Sequence, residues 1–171
     1  YRGRAYGKTL AMIENRLFLL ILQHPQEKRQ ALSTAAAVTA AVANAKVSVG
    51  LSWPNLSRAV GREADPRRWA VLYLGSARPA AKFEIVALDR RGEPADGVPL
   101  LRRLDGIVLL DGTWSQAKAL WWRNPWLLKL QRLVLNPARP ALYGKIRREP
   151  RREGLSTIEA AALVLRHAES R

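Results

Sequence analysis

Asp111-Gly112-Thr113-Trp114 is the tetrapeptide best equipped to do chemistry. It follows an apolar run, Ile107-Val108-Leu109-Leu110, and opens a tryptophan-rich segment. Thr113 and Gln116 have the spacing of a capping box, in which the threonine hydroxyl holds the N3 amide and the glutamine reaches back. Thr113 therefore has a structural reason for its place. Asp111 is left over, at a strand tip two residues ahead of the cap. Two readings stay open for it. One is an Asx-type turn that fixes the strand–helix junction. The other is a carboxylate facing a ligand and serving as a general base.

Other stretches carry weaker signals. Ser156-Thr157-Ile158-Glu159 is a second capping box. The helix start it marks also offers free N–H groups and a positive dipole end to a carboxylate ligand. Lys145 to Arg152 (KIRREPRR) holds five basic residues and one acidic residue. Such a run is usually a solvated loop, but beside an active-site rim it suits phosphate contacts. His24 and Glu27 follow the first apolar run. There is no serine–histidine–acid arrangement and no glycine-rich phosphate loop. Trp114 and Trp121 share one helical face, which points to a core role rather than a stacking platform. Trp122 is better placed for exposure.

Strands are expected at Arg16 to Leu22, Ala70 to Leu74, Phe83 to Leu88, Ile107 to Leu110 and Arg132 to Leu135. Helices are expected from Ser33 or Thr34 to about Asn44, from Trp114 to about Arg123, and from Ser156 to about Ala168. Residues 46–69 read as irregular, 90–99 as a polar loop and 137–154 as a long loop. Continuous apolar strands alternating with helices predict a mostly parallel sheet covered on both faces. In such sheets ligands sit beyond the carboxyl ends of the strands. His24-Pro25, Gly75-Ser76, Asp111-Gly112-Thr113 and Asn136-Pro137 would then line one rim.

The chain has 171 residues, enough for one domain with a real core. Lys and Arg number 29 against 14 Asp and Glu, a net charge of +15. That favours a polyanionic partner, nucleic acid before membrane. Genome composition explains Arg over Lys, but not the shortage of acids. The chain has no cysteine, which excludes disulfides, thiolate metal ligands and a cysteine nucleophile. Two histidines alone argue against a protein zinc site. No apolar run is long enough to span a membrane. The start, Tyr1-Arg2-Gly3-Arg4, has no signal-peptide pattern and reads as a trimmed N-terminus.

The ordered motifs resemble the DTW-domain family of tRNA-uridine aminocarboxypropyltransferases. They are Leu22-Gln23-His24-Pro25 with Glu27, Leu72-Tyr73, Asp111 to Trp114 with Gln116-Ala117, Asn124-Pro125, and Leu155 to Ala160 (LSTIEA). Asn136-Pro137 with Tyr143-Gly144-Lys145 is similar to the related enzymes that modify ribosomal RNA. The resemblance implies a SPOUT-like α/β fold with a knotted C-terminal region, in a single domain over residues 1–171. It implies S-adenosylmethionine (SAM) as co-substrate and transfer of its 3-amino-3-carboxypropyl group to N3 of a tRNA uridine. A SPOUT-type RNA methyltransferase and a non-catalytic RNA-binding domain are the alternatives. Asp111 would be the base. Leu74, Gly75, Ser76, Leu110, Gly112, Thr113, Trp114, Leu135, Asn136, Pro137, Tyr143 and Gly144 would form the donor pocket. Ser156, Thr157 and Glu159 would meet the donor's amino-acid end. His24, Lys145, Arg147, Arg148, Arg151 and Arg152 would hold tRNA. A cytoplasmic monomer is expected. The family's N-terminal cysteine cluster is absent from this sequence, so no metal is expected in this chain.

Overall fold

The computed structural model describes residues 12–25, 34–72, 82–136 and 157–169. Its strands are β1 (Phe18–Gln23), β2 (Ala45–Val49), β3 (Trp69–Leu72), β4 (Ile85–Leu88), β5 (Pro94–Asp96), β6 (Gly106–Asp111) and β7 (Gln131–Leu135). Its helices are α1 (Thr34–Ala41), α2 (Leu56–Val60), α3 (Val98–Arg103), α4 (Trp114–Arg123) and α5 (Thr157–Glu169), with 3-10 turns at Pro66–Arg68 and Pro125–Lys129. The strands form one sheet in the order β2-β1-β6-β3-β7-β4-β5.

Strands β2, β1, β6, β3 and β7 run parallel, as the alternation of apolar runs and helices predicts. Strand β4 runs antiparallel to both β7 and β5, so the sheet is mostly rather than wholly parallel. An apolar run has the same pattern in either direction, and only the connections decide its sense. Two stretches expected to be irregular are corrected. Residues 46–69 contain most of β2, all of α2 and a 3-10 turn, while 90–99 contain β5 and the start of α3.

The apolar strands bury both faces. Leu19, Ile21, Ile107, Leu109, Leu133 and Leu135 lie on one side, against α1, α3 and α5. Leu20, Leu22, Val71, Val108 and Leu110 lie on the other, against α2, α4 and the second 3-10 turn. This is the two-residue alternation of a strand, and burial on both faces explains why the runs look continuously apolar. The parity has a consequence at the strand ends. Gln23 continues the row of Leu19 and Ile21, and Asp111 continues that of Ile107 and Leu109. Both side chains therefore turn toward the face that α5 covers.

Candidate active site

Asp111 ends the central strand β6 and is 1% exposed. Gln23 ends β1 directly beside it in the parallel register. Its Nε2 donates to Asp111 Oδ2 at 3.3 Å. Thr157, the first residue of α5, donates its hydroxyl to Asp111 Oδ1. Three elements far apart in the chain thus converge on one carboxylate. Its partners are distant side chains rather than the next turn's amides, so the Asx-turn reading is not what the fold builds. Both donors are neutral. An ionised carboxylate can accept about four hydrogen bonds, so Asp111 keeps acceptor capacity.

The turn beyond Asp111 is rigid. Gly112 has φ +123°, in the region that favours glycine, and a Cβ there would lie 2.6 Å from Gln116 Oε1. Gln116 is fixed because the capping box forms as expected. Gln116 N donates to Thr113 Oγ1 at 3.2 Å, and Thr113 N donates to Gln116 Oε1 at 2.9 Å. Trp114 follows, half-buried at the helix start.

Parallel pairing brings the ends of β1, β6, β3 and β7 to the same side of the sheet. His24 is half-buried just beyond Gln23. Asn136 follows β7 and is tied to the antiparallel edge: its N donates to Glu84 O at 2.8 Å and its Nδ2 to Phe83 O at 3.3 Å. The side chains of Leu110 and Leu135 are packed in the core, on opposite faces. Only their backbone could meet a ligand. Glu159 lies half-buried in the first turn of α5. Leu74, Gly75, Ser76, Pro137, Tyr143, Gly144, Lys145, Arg147, Arg148, Arg151, Arg152 and Ser156 lie outside the described residues.

Sequence reasoning placed Gln23 only within a motif and gave it no role. The missing signal is the β1–β6 register, which sets Gln23 beside Asp111. Thr157, placed at the donor's amino-acid end by resemblance, has its hydroxyl hydrogen-bonded to Asp111.

The opposite end of the sheet is built differently. Arg68 Nε and Nη2 clamp Asp105 Oδ2 and Oδ1, each at 2.9 Å, just before β3 and β6 begin. The guanidinium's hydrogen bonds hold the Asp105 carboxyl below its ordinary range and raise Arg68. A cavity of about 720 Å³ opens near the start of β7, lined in part by Arg90, Lys129 and Arg132. It is thus remote from the Asp111 rim. Among the described residues no group of three or more His, Asp or Glu could hold a metal ion. None of their helices is long and apolar enough to cross a membrane.

A DTW domain model matches residues 6–171. A tRNA-uridine aminocarboxypropyltransferase 2 of Drosophila melanogaster is 32% identical over 155 residues, covering 90% of this chain and 57% of its own length. One of Macaca fascicularis is 30% identical over 153 residues, covering 86% of this chain and 46% of its own. The chain spans about half the length of the curated relatives it matches. No solved structure matches it.

Proposed function

The chain belongs to the DTW-domain family, and on that premise we propose that it moves the 3-amino-3-carboxypropyl group of SAM to N3 of a tRNA uridine. The observation that carries the proposal is the buried Asp111 carboxylate, held among the described residues by the neutral side chains of Gln23 and Thr157 and by no cation. Relatives bearing the name tRNA-uridine aminocarboxypropyltransferase 2 support the reaction class.

Asp111 accepts the proton of uridine N3, a role worth ~10²–10⁴-fold in rate. The N3 electron pair then forms the new N–C bond as the C–S bond breaks, and methylthioadenosine leaves with the sulfur's pair. When bound, SAM supplies a carbon activated by its sulfonium, and positive charge is lost as the neutral thioether departs. The chain needs no oxyanion hole for such a step. Its contribution is to hold donor and uridine in line.

The residues fit the donor. A carboxylate with neutral partners complements a sulfonium, and a rim of parallel strand ends is where such sheets take ligands. The backbone of Leu110 to Thr113 and of Leu135 to Asn136 lines that rim. Gly75, Ser76, Pro137, Tyr143 and Gly144 complete the pocket by resemblance. Glu159 meets the donor's ammonium, and Ser156 its carboxylate. Thr157 orients Asp111. His24 and the basic loop from Lys145 to Arg152 hold the tRNA backbone. A SPOUT-like single domain with a C-terminal knot belongs to the same proposal, as does a cytoplasmic monomer.

The test is turnover with bulk tRNA and SAM labelled in its aminocarboxypropyl chain, run beside Asp111→Asn. Label in tRNA and methylthioadenosine release, both lost in a folded mutant, are expected. Release of S-adenosylhomocysteine would assign a methyltransferase instead. tRNA binding without any transfer, indifferent to Asp111, would leave an RNA-binding domain.

A further inference from the structure

Trp122 is 74% exposed, whereas the other five tryptophans are buried or half-buried. It lies on α4, whose inner face buries Ala117 and Leu120. The outer face carries Ser115, Lys118 and Trp122 at helical spacing, with exposed Arg123 beside them. Among the described residues Trp122 makes no hydrogen bond or ring contact, and Lys118 and Arg123 make no ion pair. An indole in this position contributes little to the core, and two uncompensated cations flank it.

The sequence adds a second observation. Between Asp111 and Glu149 there is no acidic residue at all. Lys118, Arg123, Lys129 and Arg132 fall within that stretch. The region that begins at the candidate base is therefore positive by construction, in a chain of net charge +15.

We infer that the outer face of α4 is a binding surface for the single-stranded RNA that flanks the target uridine. A base stacks on Trp122, and Lys118 and Arg123 take the adjacent phosphates. Stacking on an aromatic side chain is tolerant of base identity, and cations fix the backbone without reading sequence. Helix α4 starts at the Asp111 rim and runs on the face opposite the Asp111 side chain, so a strand serving both places crosses the rim at the helix start. At ~1.5 Å per residue, Trp122 lies about 14 Å along the helix axis from the Thr113 cap. That is the length of about four nucleotides stacked at ~3.4 Å. Charge separates this occupant from a second copy of this chain, which carries +15 itself and would leave the buried cations without partners. The inference rests on the proposed tRNA substrate, and its test reads binding without SAM, apart from turnover.

The experiment measures tRNA affinity for the wild-type chain, Trp122→Ala, Trp122→Phe and Lys118→Ala/Arg123→Ala. Trp122→Ala should weaken binding ~5- to 100-fold, with Trp122→Phe close to wild type. The double variant should reduce the slope of log affinity against log salt by about 1.4, at ~0.7 per single-strand phosphate. tRNA should quench wild-type tryptophan fluorescence more than that of Trp122→Phe. Equal affinity of Trp122→Ala and wild type overturns the inference. So does shielding of Trp122 from acrylamide that grows with protein concentration, which would assign the face to a second copy. If transfer to tRNA fails while these binding losses appear, the surface stands and the proposed reaction falls. If transfer proceeds and binding is unmoved by Trp122→Ala, the reverse holds.

Discussion

Asn124 and Asp111 are both buried polar side chains at the end of a regular element, and they are wired in opposite ways. Asn124 is 0% exposed and uses its full capacity. Its Nδ2 donates to Leu51 O at 2.9 Å and Leu120 O at 2.8 Å. Its Oδ1 accepts from Trp53 N at 2.9 Å and Trp126 Nε1 at 3.2 Å. An amide offers two donors and two lone pairs, so nothing is left for a ligand. Three of its four partners are backbone. They bind the 51–53 loop to the end of α4. Among the described residues Asp111 has two side-chain donors, one of them at 3.3 Å, and no cationic partner. A saturated buried group is a fastener, whereas one with spare capacity at a strand rim is available for chemistry.

Exchanging the two kinds of damage gives the largest expected effects. Asp111→Asn should cut turnover by ~10²–10⁴-fold while the melting temperature moves little, since the amide oxygen still accepts from Thr157 and Gln23 can turn its own amide oxygen toward the new Nδ2. Asn124→Leu should do the reverse. It orphans several buried backbone groups at ~1–3 kcal/mol each, so denaturant unfolding should lose about 3 kcal/mol or more. Turnover per folded molecule should hold. A collapse of stability in the first variant, or of specific activity in the second, would mean that the two side chains do not divide chemistry and fastening in this way.

Gly112→Ala strikes the turn between Asp111 and helix α4. A side chain at φ +123° is strained, and its Cβ would press on the Gln116 carbonyl that closes the capping box. Strain and a damaged cap should together cost ~1–3 kcal/mol in chemical unfolding. Thr157→Val keeps shape and removes one donor from Asp111. We expect a stability loss of ~1–3 kcal/mol and a turnover loss smaller than that of Asp111→Asn. SAM affinity, measured by calorimetry, should be unchanged if the hydroxyl serves Asp111 rather than the donor. Weakened SAM binding with unaltered turnover at saturation would return Thr157 to the pocket.

The smallest effect belongs to the Arg68–Asp105 clamp, which is half-exposed. Arg68 holds the Asp105 carboxyl below its ordinary value of 3.8. Its contribution is therefore present above the unfolded value and is lost as pH falls through the lowered folded one. Asp105→Asn should be slightly less stable than wild type at neutral pH. That gap should close in thermal melts taken in the acid range. A gap independent of pH would mean the pair contributes through packing instead.

Much of the fold was legible because its signals are local. The long apolar runs of β1 and β6, the Thr113–Gln116 box and the span of α4 follow from neighbours a few residues apart. Strand β2 escaped notice because AKVSV is short and partly polar, its Lys46 tied to Val60 O at 3.0 Å. Helix α3, VPLLRR, is a turn and a half behind a proline-containing loop and too short to show a period. Asp111 was legible as a strand-tip residue ahead of a capped helix, with its purpose left open.

Local interactions and composition account for the long apolar strands, the capped helix α4, the strong positive charge and the DTW motif order. Only the tertiary structure decided that β4 runs backwards, that Asn124 closes a loop and that Gln23 and Thr157 meet on Asp111. The last two contacts join residues 88 and 46 positions apart. Sheet register and helix docking bring such residues together, because burying both faces of the sheet favours one pairing. No local pattern records that choice.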